Sequence, residues 1–157
     1  MKTSSSTESE PIPLHLGAGI EAITAAEQEM GIKFPDLLKM IWQVSNGLEL
    51  PGGWQIYPVF DPANPRKTCN SIVYENTPGK GRWEYMSGDL IAIAGNGTGN
   101  HLVLRIESGT LLPDILVWDH ERNKTKAWGK TLDDILKKAQ ARVIAIQKAR
   151  AKSLRGK

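Results

Sequence analysis

Leu90-Ile91-Ala92-Ile93-Ala94-Gly95-Asn96-Gly97-Thr98-Gly99-Asn100-His101-Leu102-Val103-Leu104-Arg105-Ile106 is the stretch whose reading decides the fold. Two short apolar runs, 90–94 and 102–106, flank a polar, glycine-rich center, and each run has the length and residue types of a strand. In the second run Leu102, Leu104 and Ile106 share a face, because side chains alternate along a strand. The pattern predicts an antiparallel pair joined by a tight connection that needs positive φ at Asn96-Gly97. Glycines at 95, 97 and 99 also invite a phosphate-cradle reading, since bare backbone amides can approach an anion. The flanks oppose it. A P-loop needs Gly-Lys, then Ser or Thr, then a helix. A dinucleotide fingerprint needs its third glycine one residue later, at a helix start, whereas His101-Leu102-Val103-Leu104 is a strand. The loop 95–100 therefore belongs to the fold and not to an active site.

On the N-terminal side, Ile20, Ile23, Ala26 and Met30 recur at helical spacing and Gly31 stops the run. Pro35 suits a first helical position, and Leu37, Leu38, Ile41, Trp42 and Val44 make a broad stripe that Asn46-Gly47 closes. The short link predicts a helical hairpin. A strand is predicted over 54–60, with Pro58 marking an edge or a bulge, and a short helix near 68–74. Beyond the central pair come a strand at 115–118, a polar turn and a last strand at 125–128. Thr131 is an N-cap with Asp134 three residues on, and Leu132, Ile135, Leu136, Ala139, Val143 and Ile146 form the stripe of a final helix. The class is α+β.

With 157 residues, 40% hydrophobic and 24% charged, the composition excludes collagen-like, disordered and disulfide-framework classes. One cysteine, Cys69, and no signal-peptide core place the expected home in the cytoplasm, with no membrane span. The division expected is a disordered lead-in at 1–13, one domain at 14–147 and a basic tail at 148–157. Charge is segregated: up to Leu136 there are twelve Lys or Arg against seventeen Asp or Glu, and from Lys137 on there are eight Lys or Arg with no acid. An acidic body thus carries a basic end, and only that end supports a nucleic-acid partner.

In order along the chain stand Gly31-Ile32-Lys33-Phe34-Pro35, Ser45-Asn46-Gly47, the strand pair around Ile93 to Asn100, Val117-Trp118-Asp119-His120-Glu121 and the capped last helix. Together these resemble the Smi/Knr-type domain of the SUKH superfamily, over roughly residues 20–144 of a domain of usual size. The resemblance implies a helical hairpin packed on an antiparallel sheet with a C-terminal helix. It implies a protein-binding module: an immunity protein that neutralizes a polymorphic toxin, often a nuclease, or a regulator or scaffold that binds an endogenous partner. It transfers no catalytic constellation, so no enzyme activity and no cofactor are expected.

Residue by residue, His101 and His120 near Asp119 and Glu121 could form a metal or general-base site, but the spacing fits ordinary hydrogen-bonded histidines better. Cys69 has no nucleophile context. Of the five tryptophans, Trp42 and Trp118 lie on apolar stripes, whereas Trp54 and Trp83 sit beside glycine-rich loops within reach of a partner. An inhibitor of a basic toxin gains rate and specificity from opposite charge, which makes the loop-borne Glu49, Glu75, Glu84, Asp89 and Glu121 the acidic candidates beside those two tryptophans. A cognate toxin or other protein is the expected partner, with nucleic acid only through the basic tail.

Overall fold

A computed structural model describes residues 17–155; the expected lead-in at 1–13 lies outside them. The first helix, α1 (Ile20–Met30), ends where predicted: Gly31 turns left-handed at φ 69° and its amide donates to the Glu27 carbonyl. The second, α2 (Asp36–Val44), starts one residue later than the proline rule suggests. Pro35 has ψ 144° and is the residue just outside the helix. Ile23 and Ala26 are buried, but Ile20, counted on the same stripe, is 51% exposed. The buried polar residue of this helix is Glu27, next in sequence to Ala26 of the apolar stripe. One of its carboxylate oxygens accepts the Phe34 amide at 2.9 Å and lies 3.1 Å from Lys39 Nζ, closing the hairpin from inside.

After a 3₁₀ turn at Pro51–Gly53 the chain forms a six-stranded antiparallel sheet: β1 (Gln55–Ile56), β2 (Leu90–Gly95), β3 (His101–Glu107), β4 (Thr110–Leu111), β5 (Leu116–Asp119) and β6 (Lys124–Ala127). Its order is β1-β2-β3-β5-β6, with β4 paired to β3. A short helix, α3 (Ile72–Glu75), separates β1 from β2 and is capped by the Ser71 hydroxyl, which accepts the Tyr74 amide at 3.1 Å. The decisive pair forms as read, with Leu90 opposite Arg105 and Gly95 opposite His101, and with a register shift between Ala92 and Ala94.

The strand predicted over 54–60 shrinks to two residues for a visible reason. Pro58 has no amide to donate, and the Asn46 side chain takes the place of a strand partner: its Nδ2 donates to the Val59 carbonyl at 3.0 Å and its Oδ1 accepts the Val59 amide at 2.9 Å. Asn76 does the same at the β2 irregularity, bonding both backbone groups of Ala92 at 2.8 Å. The small strand β4 was not anticipated; a turn with positive φ at Ser108 and Gly109 makes it.

Trp42 and Trp118 are fully buried, with Phe34 edge-on to Trp42 at 4.8 Å. Such side chains contribute about 1.5–3 kcal/mol each by leaving water. The last helix, α4 (Leu132–Arg155), is closed at its start by Thr131 and Asp134, each accepting the other's amide. It packs against α2 and runs through the basic residues after 148 without a break. Among the described residues no helix is long and apolar enough to cross a membrane.

Candidate functional site

The glycine loop between β2 and β3 has positive φ at Gly97 (83°) and Gly99 (98°), not at Asn96-Gly97 as the hairpin rule predicts. Asn96 instead stays in ordinary backbone space and uses its side chain, whose Oδ1 accepts from the amide and the hydroxyl of Thr98. The loop is a platform for an aromatic clamp. Trp83 Nε1 donates to the Gly99 carbonyl at 3.1 Å, and the Trp83 ring stacks on His120 at 5.0 Å and 25°. The Tyr85 hydroxyl donates to the His120 carbonyl, and the His120 amide donates to Asn100 Oδ1 at 3.0 Å. Two segments far apart in sequence are thereby locked together, which brings the candidates Trp83, Glu84 and Glu121 into one neighborhood. Trp83 is half-buried and structural; Glu84 and Glu121 are exposed beside the stack.

The other candidates are dispersed. Asp89 bonds Ser87 and Arg105, which hold its carboxyl below the usual range. Glu75 is half-buried, and burial pushes its carboxyl up; it lies over Gly81, where a Cβ would stand 2.7 Å from its Oε1. Glu49 is exposed where the chain bridges to Gln55. Trp54 is half-buried in a cleft with Trp128.

The two histidines near the strand ends do not form a shared site. His101 is buried and shares a 2.7 Å hydrogen bond with the Tyr57 hydroxyl, while His120 is held by the clamp. Burial lowers the His101 imidazole to about 4, and burial together with Glu75 raises the Tyr57 phenol. Among the described residues no three His, Cys, Asp or Glu side chains converge as a metal site. Cys69 is exposed.

A surface that the sequence reading missed lies along α1. A groove of about 630 Å³ opens between this helix and the segment around α3. Phe60 and Tyr74 supply its aromatic surface and are 46% and 44% exposed. Glu21, Glu29 and Asp61 lie around it, with Lys80 as the cation in its wall. None of the seven sequence candidates lines it. The usable signal was present in the sequence: acidic residues spaced eight apart on one helix, facing an aromatic-bearing loop. Yet Phe60 counted as the end of a strand and Tyr74 as part of a short helix. Phe60 stands just past the point where Pro58 and Asn46 end the strand, and Tyr74 lies within α3.

No curated protein and no solved structure matches the chain. The sequence profile described as the SMI1 / KNR4 family (SUKH-1) matches residues 17–138, most of the chain, from the entry to α1 through the first turns of α4. The helical hairpin, the antiparallel sheet and the capped start of the last helix fall within that match, and the chain belongs to the SMI1 / KNR4 family (SUKH-1).

Proposed function

We propose that this protein is an immunity-type binding module that neutralizes a bacterial toxin by forming a stoichiometric complex, turning over no substrate. Membership of the SMI1 / KNR4 family supports a protein partner. The observation that carries the reading is the groove along α1, where two half-exposed aromatic rings lie among three carboxylates. Aromatic anchors ringed by polar groups are the usual energetic center of a protein interface, and the excess of these carboxylates over Lys80 in the groove's wall steers a partner of opposite sign. A basic toxin surface that presents an apolar side chain between cations fits this groove. The exposed Glu84 and Glu121 extend the acidic surface available to such a partner. A complex of ordinary size covers roughly 800 Å² on each side, more than the groove alone provides.

The test is co-expression with the product of a toxin gene found beside this one. Rescue of growth and a one-to-one complex on size exclusion are expected, and Tyr74→Ala with Glu29→Lys should abolish both while leaving the thermal transition in place. Absence of both rescue and complex sinks the reading. Capture of an endogenous protein through the same groove, with no toxin effect, supports a Smi/Knr-type regulator or scaffold instead.

A further inference from the structure

The cleft beside Trp54 and the far half of α4 are used by neither the fold's clamp nor the groove along α1. Three of the five tryptophans spend their indole N–H inside the protein: Trp42 donates to the Tyr57 carbonyl at 2.8 Å, Trp83 to Gly99 and Trp118 to Asn123 Oδ1 at 2.9 Å. Among the described residues the indole N–H groups of Trp54 and Trp128 have no acceptor. Both rings line one cleft of about 600 Å³, whose wall also carries Lys130 and Lys138. Its carboxylate, Asp134, is turned to the Thr131 amide as the helix cap.

Lys138 belongs at the same time to a longer feature. The family match stops at that residue, but α4 continues to Arg155, and no acidic residue follows Asp134. Lys138, Lys148 and Lys152 are all exposed. At about 100° per residue they fall within roughly 80° of one another, spread along about 21 Å of helix. Leu132, Ile135, Leu136, Ala139 and Ile146 are buried on the other side, whereas Ile144 and Leu154 are exposed on the far half of the helix, so an anionic lipid surface is the rival occupant that the test has to separate. A cationic track that begins at a tryptophan-lined cleft matches a chain of phosphates that carries flat, unstacked bases. Stacking on an aromatic ring is open to any base, and lysines along a track neutralize successive phosphates.

We propose that the Trp54–Trp128 cleft and the lysine face of α4 form a binding site for single-stranded nucleic acid, with a base held against the indoles and the phosphates running from Lys130 and Lys138 toward Lys152. The site is separate from the groove along α1 and stands or falls independently of the toxin reading.

The test titrates the full chain with labeled oligo(dT) and oligo(U), a duplex of equal length, and anionic phospholipid vesicles, while tryptophan emission is recorded. Single strands are expected to bind with quenching of that emission. Three or four phosphate contacts predict a roughly 20- to 50-fold loss of affinity between 50 and 200 mM salt. The ratio of oligo(U) to oligo(dT) affinity assigns the sugar. Lys138→Glu with Lys152→Glu should weaken binding at least tenfold with an unchanged thermal transition, and Trp128→Leu should remove most of the quenching. The proposal is overturned if single strands fail to bind at low salt, if the duplex binds as well and without quenching, if vesicles are preferred, or if the lysine reversals leave affinity unchanged.

Discussion

The hydroxyl of Tyr57 lies 2.7 Å from Nδ1 of His101, joining the residue after β1 to the first residue of β3 behind the glycine loop. Gly95 makes the approach possible, since a Cβ there would stand 2.3 Å from the Tyr57 oxygen.

This buried pair predicts how stability depends on pH. Burial holds the folded imidazole at about 4, against an ordinary value of 6.5. Between these values the unfolded chain binds the extra proton, so the contribution is whole above pH 6.5 and is lost as the pH falls toward 4. The loss is about 3 kcal/mol. Glu27 and Asp89, whose carboxyls are held low, titrate beneath most of this window, while Glu75, pushed up by burial, works against the decline equally in the protein and in a His101 variant. Urea unfolding from pH 7.5 to 4 should show the decline, and His101→Gln should flatten it even if the variant is less stable throughout. An unchanged slope in the variant would place the titration elsewhere.

The two positive-φ glycines of the loop should differ in their sensitivity. A Cβ at Gly97 meets nothing within 4 Å, so Gly97→Ala carries only the backbone cost of roughly 1–2 kcal/mol. At Gly99 the same carbon would lie 2.9 Å from the His120 ring, which Trp83 and Asn100 hold in place. Gly99→Ala is therefore expected to melt well below Gly97→Ala. Equal melting temperatures would mean that the clamp is loose.

Asn46→Asp tests the side chain that stands in for a strand. The change keeps an acceptor for the Val59 amide but sets a second oxygen against the Val59 carbonyl, in a buried position. A cost of about 2–3 kcal/mol is expected, read from denaturant midpoints. A near-neutral result would show that water reaches Val59.

Glu27 separates its two duties by substitution. Glu27→Gln retains an oxygen for the Phe34 amide and loses the pairing with Lys39, whereas Glu27→Ala leaves that amide without its acceptor. The alanine variant should be the weaker by about 1–2 kcal/mol. If both fall equally, the ion pair is the main contribution.

Periodicity made the helices and the central strand pair legible, because Ile23, Leu38, Ile41, Leu102 and Leu104 occupy repeating positions that packing then buries. What stayed hidden depends on single polar side chains bonding backbone far away in sequence. Nothing in the pattern of Asn46 or Asn76 announces that each pairs with a strand segment, or that Glu27 lies beneath the hairpin. The candidate surfaces follow the same division. Trp83, Glu84 and Glu121 converge because Trp83 stacks on a histidine 37 positions away. The groove along α1 joins Glu21 and Glu29 to Phe60 and Tyr74, and the cleft joins Trp54 to Trp128, meetings of distant segments that no local pattern encodes.

The strand β6 is an edge of the sheet, all four of its residues are exposed, and two of them are Lys124 and Lys126. An open edge of this kind is a template on which a second copy could add its own edge, and like charges on both copies oppose that approach. The lysines thus set a limit on self-association. Neutralizing both, by acetylation or by substitution with threonine, would lower the concentration at which the folded protein begins to assemble edge to edge, without altering its stability as a monomer.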